Sequence, residues 1–253
     1  MDLIKNKITF LLPLKGDKDM LRAKNRLLKS IDKFFLMSDI EEIIIIYCGA
    51  FPPVTISMNI SRGLIAKIRY VSENFYEYGN IHGWYKQQII KLISSELIKT
   101  EIYCTLDADI YLLKKCSLED WYIDGKCKYV PEHMKVHEYW WKQSAKALNF
   151  ELNELEMACS VTPMLLYTDI VKKLLKYMNG NNINLSETVV NGATEYSLYW
   201  LYLINNYDIL TIYSDEHPLL YNVHECIWER VTLILLLRKW KFSSKIKPVF
   251  IFH

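Results

Sequence analysis

Short runs of continuous apolar residues, separated by segments with helical patterning, constrain the fold of this chain more than any other feature. In the first half of the chain they span residues 8–14, 43–47, 68–71 and 102–106. A run that is apolar throughout is typical of a strand buried on both faces. Between these runs, residues 20–36 and 84–98 carry apolar side chains at helical spacing. Alternating strands and helices predict an α/β protein with a mixed sheet flanked by helices.

The second half of the chain has a less regular pattern. Helices are predicted at residues 138–148, 169–177 and 193–204, and a polar loop at residues 181–186. Strands are predicted at residues 128–130, 160–167, 209–213 and 249–252. Because no repeat and no linker rich in Gly, Ser or Pro interrupts the sequence, we expect a single domain over residues 1–253.

Charge and cysteine content narrow the class of protein. The chain has 31 basic and 29 acidic residues, a formal charge of +2, which gives no support for a nucleic-acid partner. The six cysteines form no CxxC pair, so we expect free thiols in a reducing compartment. No apolar run reaches the length of roughly 18 residues that a membrane-spanning helix needs. These features predict a cytoplasmic protein.

The most specific chemical pattern is Asp107-Ala108-Asp109, at the end of the apolar run 102–106. The two-residue period of a strand places both carboxylates on one face. In open α/β sheets, ligands bind beyond the carboxyl ends of the strands. Two carboxylates at that place can hold Mn²⁺ or Mg²⁺ and, through the metal ion, a diphosphate. The alternative is a solvated turn, which the apolar residues on both sides of the pattern disfavour.

A second pattern opens the helix that leads into this strand. It reads Gly83-Trp84-Tyr85-Lys86-Gln87-Gln88, with Lys86 near the helix start. A positive side chain there opposes the helix dipole, whereas a bound phosphate would favour both the lysine and the free backbone amides. The alternative is an ordinary amphipathic helix with an exposed lysine.

Taken in order, these segments resemble the GT-A class of nucleotide-sugar glycosyltransferases, and more narrowly a group of bacterial and viral glycosyltransferase-like proteins. The resemblance rests on GWYKQQIIKL, YCTLDADIYLL, HEYW, SVTPMLLYTDIVKKL and TEYSLY, and covers about residues 7–213. It implies a Rossmann-like fold with a nucleotide-sugar-binding half at about 1–115, an acceptor-binding half at about 116–225 and a C-terminal extension at 226–253. The implied activity is metal-dependent transfer of a sugar from a UDP- or GDP-linked donor to a hydroxyl of a glycan or lipid-linked glycan, as in polysaccharide biosynthesis.

The resemblance also implies roles for individual residues. The donor-binding residues would be Pro13, Leu14, Lys15, Cys48, Lys86, Gln87, Asp107 and Ala108. The metal ligands would be Asp107, Asp109 and His253, with His224 as the alternative histidine. The acceptor would contact His137 and Trp140.

In the GT-A class an acid at a comparable place can be the base that takes the proton of the acceptor hydroxyl, so the resemblance makes Glu195 the candidate for that role. It lies in the first turn of a predicted helix, where an acid can also serve only to cap the helix. Weaker candidates for the base are Glu132, Asp120 and Glu138.

Two other functions would use part of the same set of residues. A nucleotidyl- or phosphoryl-transfer enzyme could use the same carboxylates, but it would favour a Gly-rich phosphate loop, which LPLKGDKD is not. A non-catalytic glycan-binding relative would not need both aspartates.

Near the end of the chain, the apolar residues 231–237 precede Arg238, Lys239, Lys241, Lys245 and Lys247. That segment could rest weakly on an anionic membrane or form a core helix with a solvated basic end.

Overall fold

A computed structural model describes residues 4–49, 59–79, 81–129, 132–152, 159–160, 162–214 and 250–252. The strands are β1 (Ile4–Leu14), β2 (Ile40–Tyr47), β3 (Ile68–Ser72), β4 (Thr100–Thr105), β5 (Ile110–Leu112), β6 (Tyr122–Ile123), β7 (Lys126–Lys128), β8 (Met164–Tyr167), β9 (Tyr213–Ser214) and β10 (Phe250–Phe252). The α-helices are α1 (Asp17–Ala23), α2 (Lys29–Phe34), α3 (Arg62–Ile65), α4 (Gly83–Ile93), α5 (Glu138–Leu148), α6 (Thr168–Gly180), α7 (Leu185–Val190), α8 (Glu195–Asn206) and α9 (Ile209–Ile212).

A five-stranded sheet in the order β3-β2-β1-β4-β8 forms the centre of the fold. Strands β1 to β4 are parallel, and β8 runs antiparallel to β4. Helix α4 packs on β1 and helix α6 on β4. Ile8, Phe10 and Leu11 of the central strand are completely buried, as expected for an apolar run with both faces covered. The predicted α/β architecture, a mostly parallel mixed sheet with flanking helices as in a Rossmann-like fold, is confirmed.

The helix predicted at residues 20–36 begins earlier and contains an irregular turn. Gly16 has a φ of 147°, which lets the chain turn sharply from β1 into α1. Asp17 and Asp19 then lie in the first turn of α1, where the helix dipole favours carboxylates. A π-helical turn, Lys24–Leu28, joins α1 to α2.

Sequence patterns placed several elements wrongly in the second half. The strand expected at residues 209–213 is helix α9 followed by β9, because the Asp208 carboxylate accepts a hydrogen bond from the Leu210 N–H and caps a helix. The loop expected at residues 181–186 ends in α7, where the Asn184 side chain accepts from the Glu187 N–H. The strand expected at 128–130 is β7, two residues earlier, and the strand expected at 160–167 begins only at Met164.

Two small sheets complete the described structure. Strand β10 pairs antiparallel with β5, which places Phe252 opposite Ile110. Strands β6, β7 and β9 form the other sheet.

The predicted free thiols are confirmed for the five described cysteines, Cys48, Cys104, Cys116, Cys127 and Cys159. Among the helices in the described ranges, none has the length and hydropathy needed to span a bilayer. Cys226 and the apolar-then-basic segment at 231–247 lie outside the described residues.

Candidate functional site

A cleft of about 450 Å³ lies at the edge of the sheet where β1 and β2 end. Parallel pairing places Leu14 beside Tyr47, so the residues that follow these strands meet at one edge. Among the residues that line the cleft are six of the predicted donor-binding residues, Pro13, Leu14, Lys15, Cys48, Lys86 and Gln87. A larger cleft of about 510 Å³ lies between α5 and α7, and none of the predicted donor-binding, acceptor-binding, metal-binding or catalytic residues lines it.

Gln87 connects this cleft to the pair of aspartates. Its side-chain amide lines the cleft and donates a 2.8 Å hydrogen bond to Asp107 Oδ1. Asp107 and Asp109 follow the carboxyl end of β4, the strand next to β1. The structure therefore brings together the two patterns that the sequence analysis found about twenty residues apart.

Asp109 carries a partly exposed carboxylate in an unfavourable electrostatic setting. Burial, followed by repulsion from Asp107, raises the pKa of Asp109 above its ordinary value. Arg22 forms a long ion pair with this carboxylate, with Nη1 4.0 Å from Asp109 Oδ2. A divalent cation bound between the two aspartates would remove this repulsion.

A buried lysine that the sequence analysis missed joins Asp107 to Glu195. Lys91 Nζ lies 3.2 Å from Asp107 Oδ1 and 3.1 Å from Glu195 Oε1, and only 4% of the lysine side chain is exposed. The ammonium also donates to Thr162 Oγ1 at 2.9 Å and to Tyr196 OH at 3.3 Å. Lys91 lies four residues after Gln87, one helical turn further along α4, so both side chains face Asp107. A lysine inside the apolar run IIKLI was the available sequence signal.

The surroundings of Lys91 keep it protonated. Burial disfavours the ammonium, but the neighbouring Asp107, Tyr196 and Glu195 outweigh it and raise the pKa of Lys91 well above its ordinary value. With all of its N–H groups directed at oxygen acceptors, Lys91 acts as a fixed internal cation.

Glu195 is almost fully buried, with 6% of its side chain exposed. Burial raises the pKa of Glu195, while Lys91 acts in the opposite direction. Thr194 caps α8, because its side chain accepts from the Ser197 N–H at 3.2 Å. Since Thr194 performs the capping, the carboxylate of Glu195 is committed to Lys91 instead.

Lys86, near the start of α4, forms an ion pair with the carboxylate of Glu73. Its Nζ lies 2.9 Å from Glu73 Oε2, and both residues line the cleft. Burial, followed by the nearby Glu73, raises the pKa of Cys48 to about 12, so this thiol is neutral at physiological pH. Glu73 is a second residue of the site that the sequence analysis did not identify. It comes directly after β3, the third parallel strand that ends at this edge of the sheet.

The predicted acceptor residues lie next to the cleft. The rings of His137 and Trp140 are stacked with centroids 3.9 Å apart. The ring centroid of Trp140 lies 6.3 Å from that of Trp84, a cleft residue that is 44% exposed. These rings form an aromatic surface at the mouth of the cleft, of the kind on which sugar rings stack.

The weaker candidates for the base make other contacts. Asp120 accepts a 2.8 Å hydrogen bond from the Ser117 N–H and so stabilises a turn. Glu138 forms an exposed ion pair with Lys142 at 2.6 Å on α5. Glu132 accepts a hydrogen bond from the Ser160 hydroxyl.

The described part of the predicted metal site consists of Asp107 and Asp109. Across the described ranges, no three His, Cys, Asp or Glu side chains come together as a metal-binding group. The two predicted histidine ligands, His224 and His253, lie outside the described residues. Two hard carboxylates fit Mg²⁺ or Mn²⁺, which commonly take their remaining ligands from substrate phosphates and water.

Comparison with known proteins gives a family but no activity. A model of a family of unknown function (DUF6492) matches residues 5–245, a range that contains Lys91, both aspartates and Glu195. A search of curated proteins finds no match.

Proposed function

The chain belongs to the family of unknown function DUF6492, and we propose that it is a metal-dependent glycosyltransferase. The donor is a UDP- or GDP-linked sugar, and the acceptor is a hydroxyl of a glycan or lipid-linked glycan. The hydrogen bond from Gln87 to Asp107 carries this proposal, because it joins a pair of carboxylates to a cleft that can hold a nucleotide. Such a cleft, at the carboxyl ends of parallel strands, is where open α/β sheets bind their ligands.

In this proposal, Asp107 and Asp109 hold Mn²⁺ or Mg²⁺. When bound, the metal ion neutralises the negative charge of the leaving diphosphate. Helix α4, which is 11 residues long, begins at the cleft, so its free amides can receive a donor phosphate, for which Lys86 would exchange its ion pair with Glu73. Lys91 fixes Asp107 and Glu195 relative to each other. Trp84, His137 and Trp140 orient the acceptor sugar beside the donor.

A donor screen tests the proposal. The protein is incubated with Mn²⁺, one UDP- or GDP-sugar at a time and mixed glycan acceptors, and release of the nucleoside diphosphate is measured. We expect one donor to give nucleotide release that depends on both metal and acceptor. Release of pyrophosphate from a nucleoside triphosphate would indicate nucleotidyl transfer instead. Glycan binding without turnover of any donor would indicate a non-catalytic relative.

The free thiols of the described cysteines favour a cytoplasmic setting for the reaction.

Glu195→Gln is expected to lower turnover about 10²-fold and to leave donor affinity nearly unchanged. The substitution keeps the shape of the side chain but removes its basicity. Because the carboxylate of Glu195 is nearly buried and already paired with Lys91, we expect the lower end of the usual range for acid–base catalysis. Steady-state kinetics with the active donor measure both quantities.

Glu138→Gln is the matched control, because it makes the same change in the first turn of α5 at an exposed position. We expect that variant to turn over at the normal rate. Normal turnover of Glu195→Gln would show that Glu195 serves only as the partner of Lys91. A product that retains the anomeric configuration of the donor would contradict a simple base role.

A further inference from the structure

We propose that the groove between the α1–α2 segment and β5 binds the headgroups of an anionic phospholipid membrane. This cleft of about 440 Å³ has a cationic rim formed by Arg26, Lys29 and Lys33. Its floor is apolar and is formed by Phe34, Leu112 and Leu113. The inference does not depend on the proposed glycosyltransferase activity.

Within the described residues, no carboxylate forms an ion pair with the positive charges of the rim. Arg26, Lys29 and Lys33 are spaced by three and four residues, so they share one face of the helical segment. Two further exposed lysines, Lys114 and Lys115, directly follow the floor residue Leu113. The groove therefore presents a net positive field to a ligand.

The groove is built into the fold. The buried Ser30 hydroxyl accepts a 2.9 Å hydrogen bond from the Leu112 N–H and donates a 2.8 Å hydrogen bond to the Leu27 carbonyl. These bonds fix β5 against the helical segment and hold both walls of the groove in place. The π-helical turn Lys24–Leu28 forms part of the same wall, a local geometry that is frequent at functional sites.

A cationic rim over an apolar floor matches an amphiphile. The phosphate of a lipid headgroup can pair with the rim, while the adjoining hydrocarbon covers Phe34 and Leu113, which are partly exposed. A nucleic acid would use the rim and leave the floor uncovered. Leu112 ends β5, and Asp109 directly precedes the first residue of the same short strand. A membrane bound here would therefore lie beside the candidate site.

Co-sedimentation with lipid vesicles tests the proposal. The full chain is mixed with vesicles of phosphatidylcholine alone or of phosphatidylcholine with phosphatidylglycerol. We expect binding only to the anionic vesicles, with a marked loss at high salt. The triple variant Arg26→Gln, Lys29→Gln, Lys33→Gln should lower the partition coefficient about 100-fold, since each basic residue near such a surface contributes a factor of about five.

The control variant Lys99→Gln, Lys172→Gln, Lys176→Gln removes the same charge from residues outside the groove and should bind nearly as well as the wild type. The proposal is overturned if both triple variants lose binding equally, because the effect would then follow net charge. Absence of wild-type binding to anionic vesicles also overturns it, as does tight binding to single-stranded RNA without vesicle binding. Because the assay needs no turnover, its outcome is independent of the donor screen.

Discussion

Asp109→Asn is expected to lower sugar transfer by roughly 10³-fold or more while leaving the fold intact. Asparagine has nearly the same size but lacks the negative charge that attracts a divalent cation. Charge stabilisation by a bound metal ion contributes several kcal/mol to such a reaction, and each 1.4 kcal/mol is about a tenfold change in rate. Loss of a carboxylate ligand should therefore remove most of the activity.

The same variant should not destabilise the metal-free protein. Burial and repulsion from Asp107 raise the pKa of Asp109, so its ionised form is less favourable in the folded state than in the unfolded chain. Ionised Asp109 therefore lowers the stability of the metal-free protein at neutral pH, and that loss fades as the pH falls through the raised pKa. We expect Asp109→Asn to unfold at the wild-type temperature or slightly above it.

Thermal unfolding with and without Mn²⁺ separates the two effects. The wild type should gain stability from Mn²⁺, especially with a nucleoside diphosphate present, whereas Asp109→Asn should gain little. Asp124→Asn is the matched control, since Asp124 is exposed in the turn between β6 and β7, where asparagine tolerates its φ of 49°. Wild-type activity in excess chelator, or normal activity of Asp109→Asn, would rule out the metal-dependent mechanism.

The sequence predicts the cleft well because the apolar runs determine which residues meet. Once 8–14, 43–47 and 102–106 are assigned as parallel strands, their carboxyl ends must share one edge of the sheet. Lys15, Cys48 and Asp107 are far apart in the chain, yet each comes shortly after such a run. The structure places Lys15 and Cys48 in one cleft and joins Asp107 to it through Gln87.

Elements that depend on local capping were harder to predict. Residues 209–213 are apolar and β-branched enough to suggest a strand, but the Asp208 cap starts a helix there. Side-chain caps of this kind compete with strand formation over short segments, and periodicity alone cannot distinguish the two outcomes.

Lys91 could not be assigned its role from the sequence, because its partners come from distant segments. Asp107 follows β4, Thr162 precedes β8, and Glu195 begins α8. A lysine in a helix usually keeps its charged end in water, and even its position inside the apolar run IIKLI does not reveal which residues surround it. Only the packing of α4 and α8 around the end of β4 shows that this lysine is internal.

Lys91→Met is expected to lower the free energy of unfolding by about 3–5 kcal/mol, the usual effect of removing one partner from a buried ion pair. Methionine fills a similar volume but leaves Glu195 buried without a counter-ion and removes the hydrogen bond from the ammonium to Thr162. Urea unfolding at neutral pH measures the change. Lys176→Met, an exposed position on α6, is the control and should change the free energy of unfolding by less than about 0.5 kcal/mol.

The double variant Lys91→Met, Glu195→Gln distinguishes a charge effect from a packing effect. Since it removes both charges of the pair, it should be more stable than Lys91→Met alone, and the two substitutions should be strongly non-additive. If methionine acted only by poor packing, the second substitution would bring no recovery. A Lys91→Met protein as stable as Lys176→Met would mean that the ammonium does not hold Asp107 and Glu195 together. Recovery of stability without recovery of sugar transfer is the expected result, because neutralising both residues restores the core but not the base.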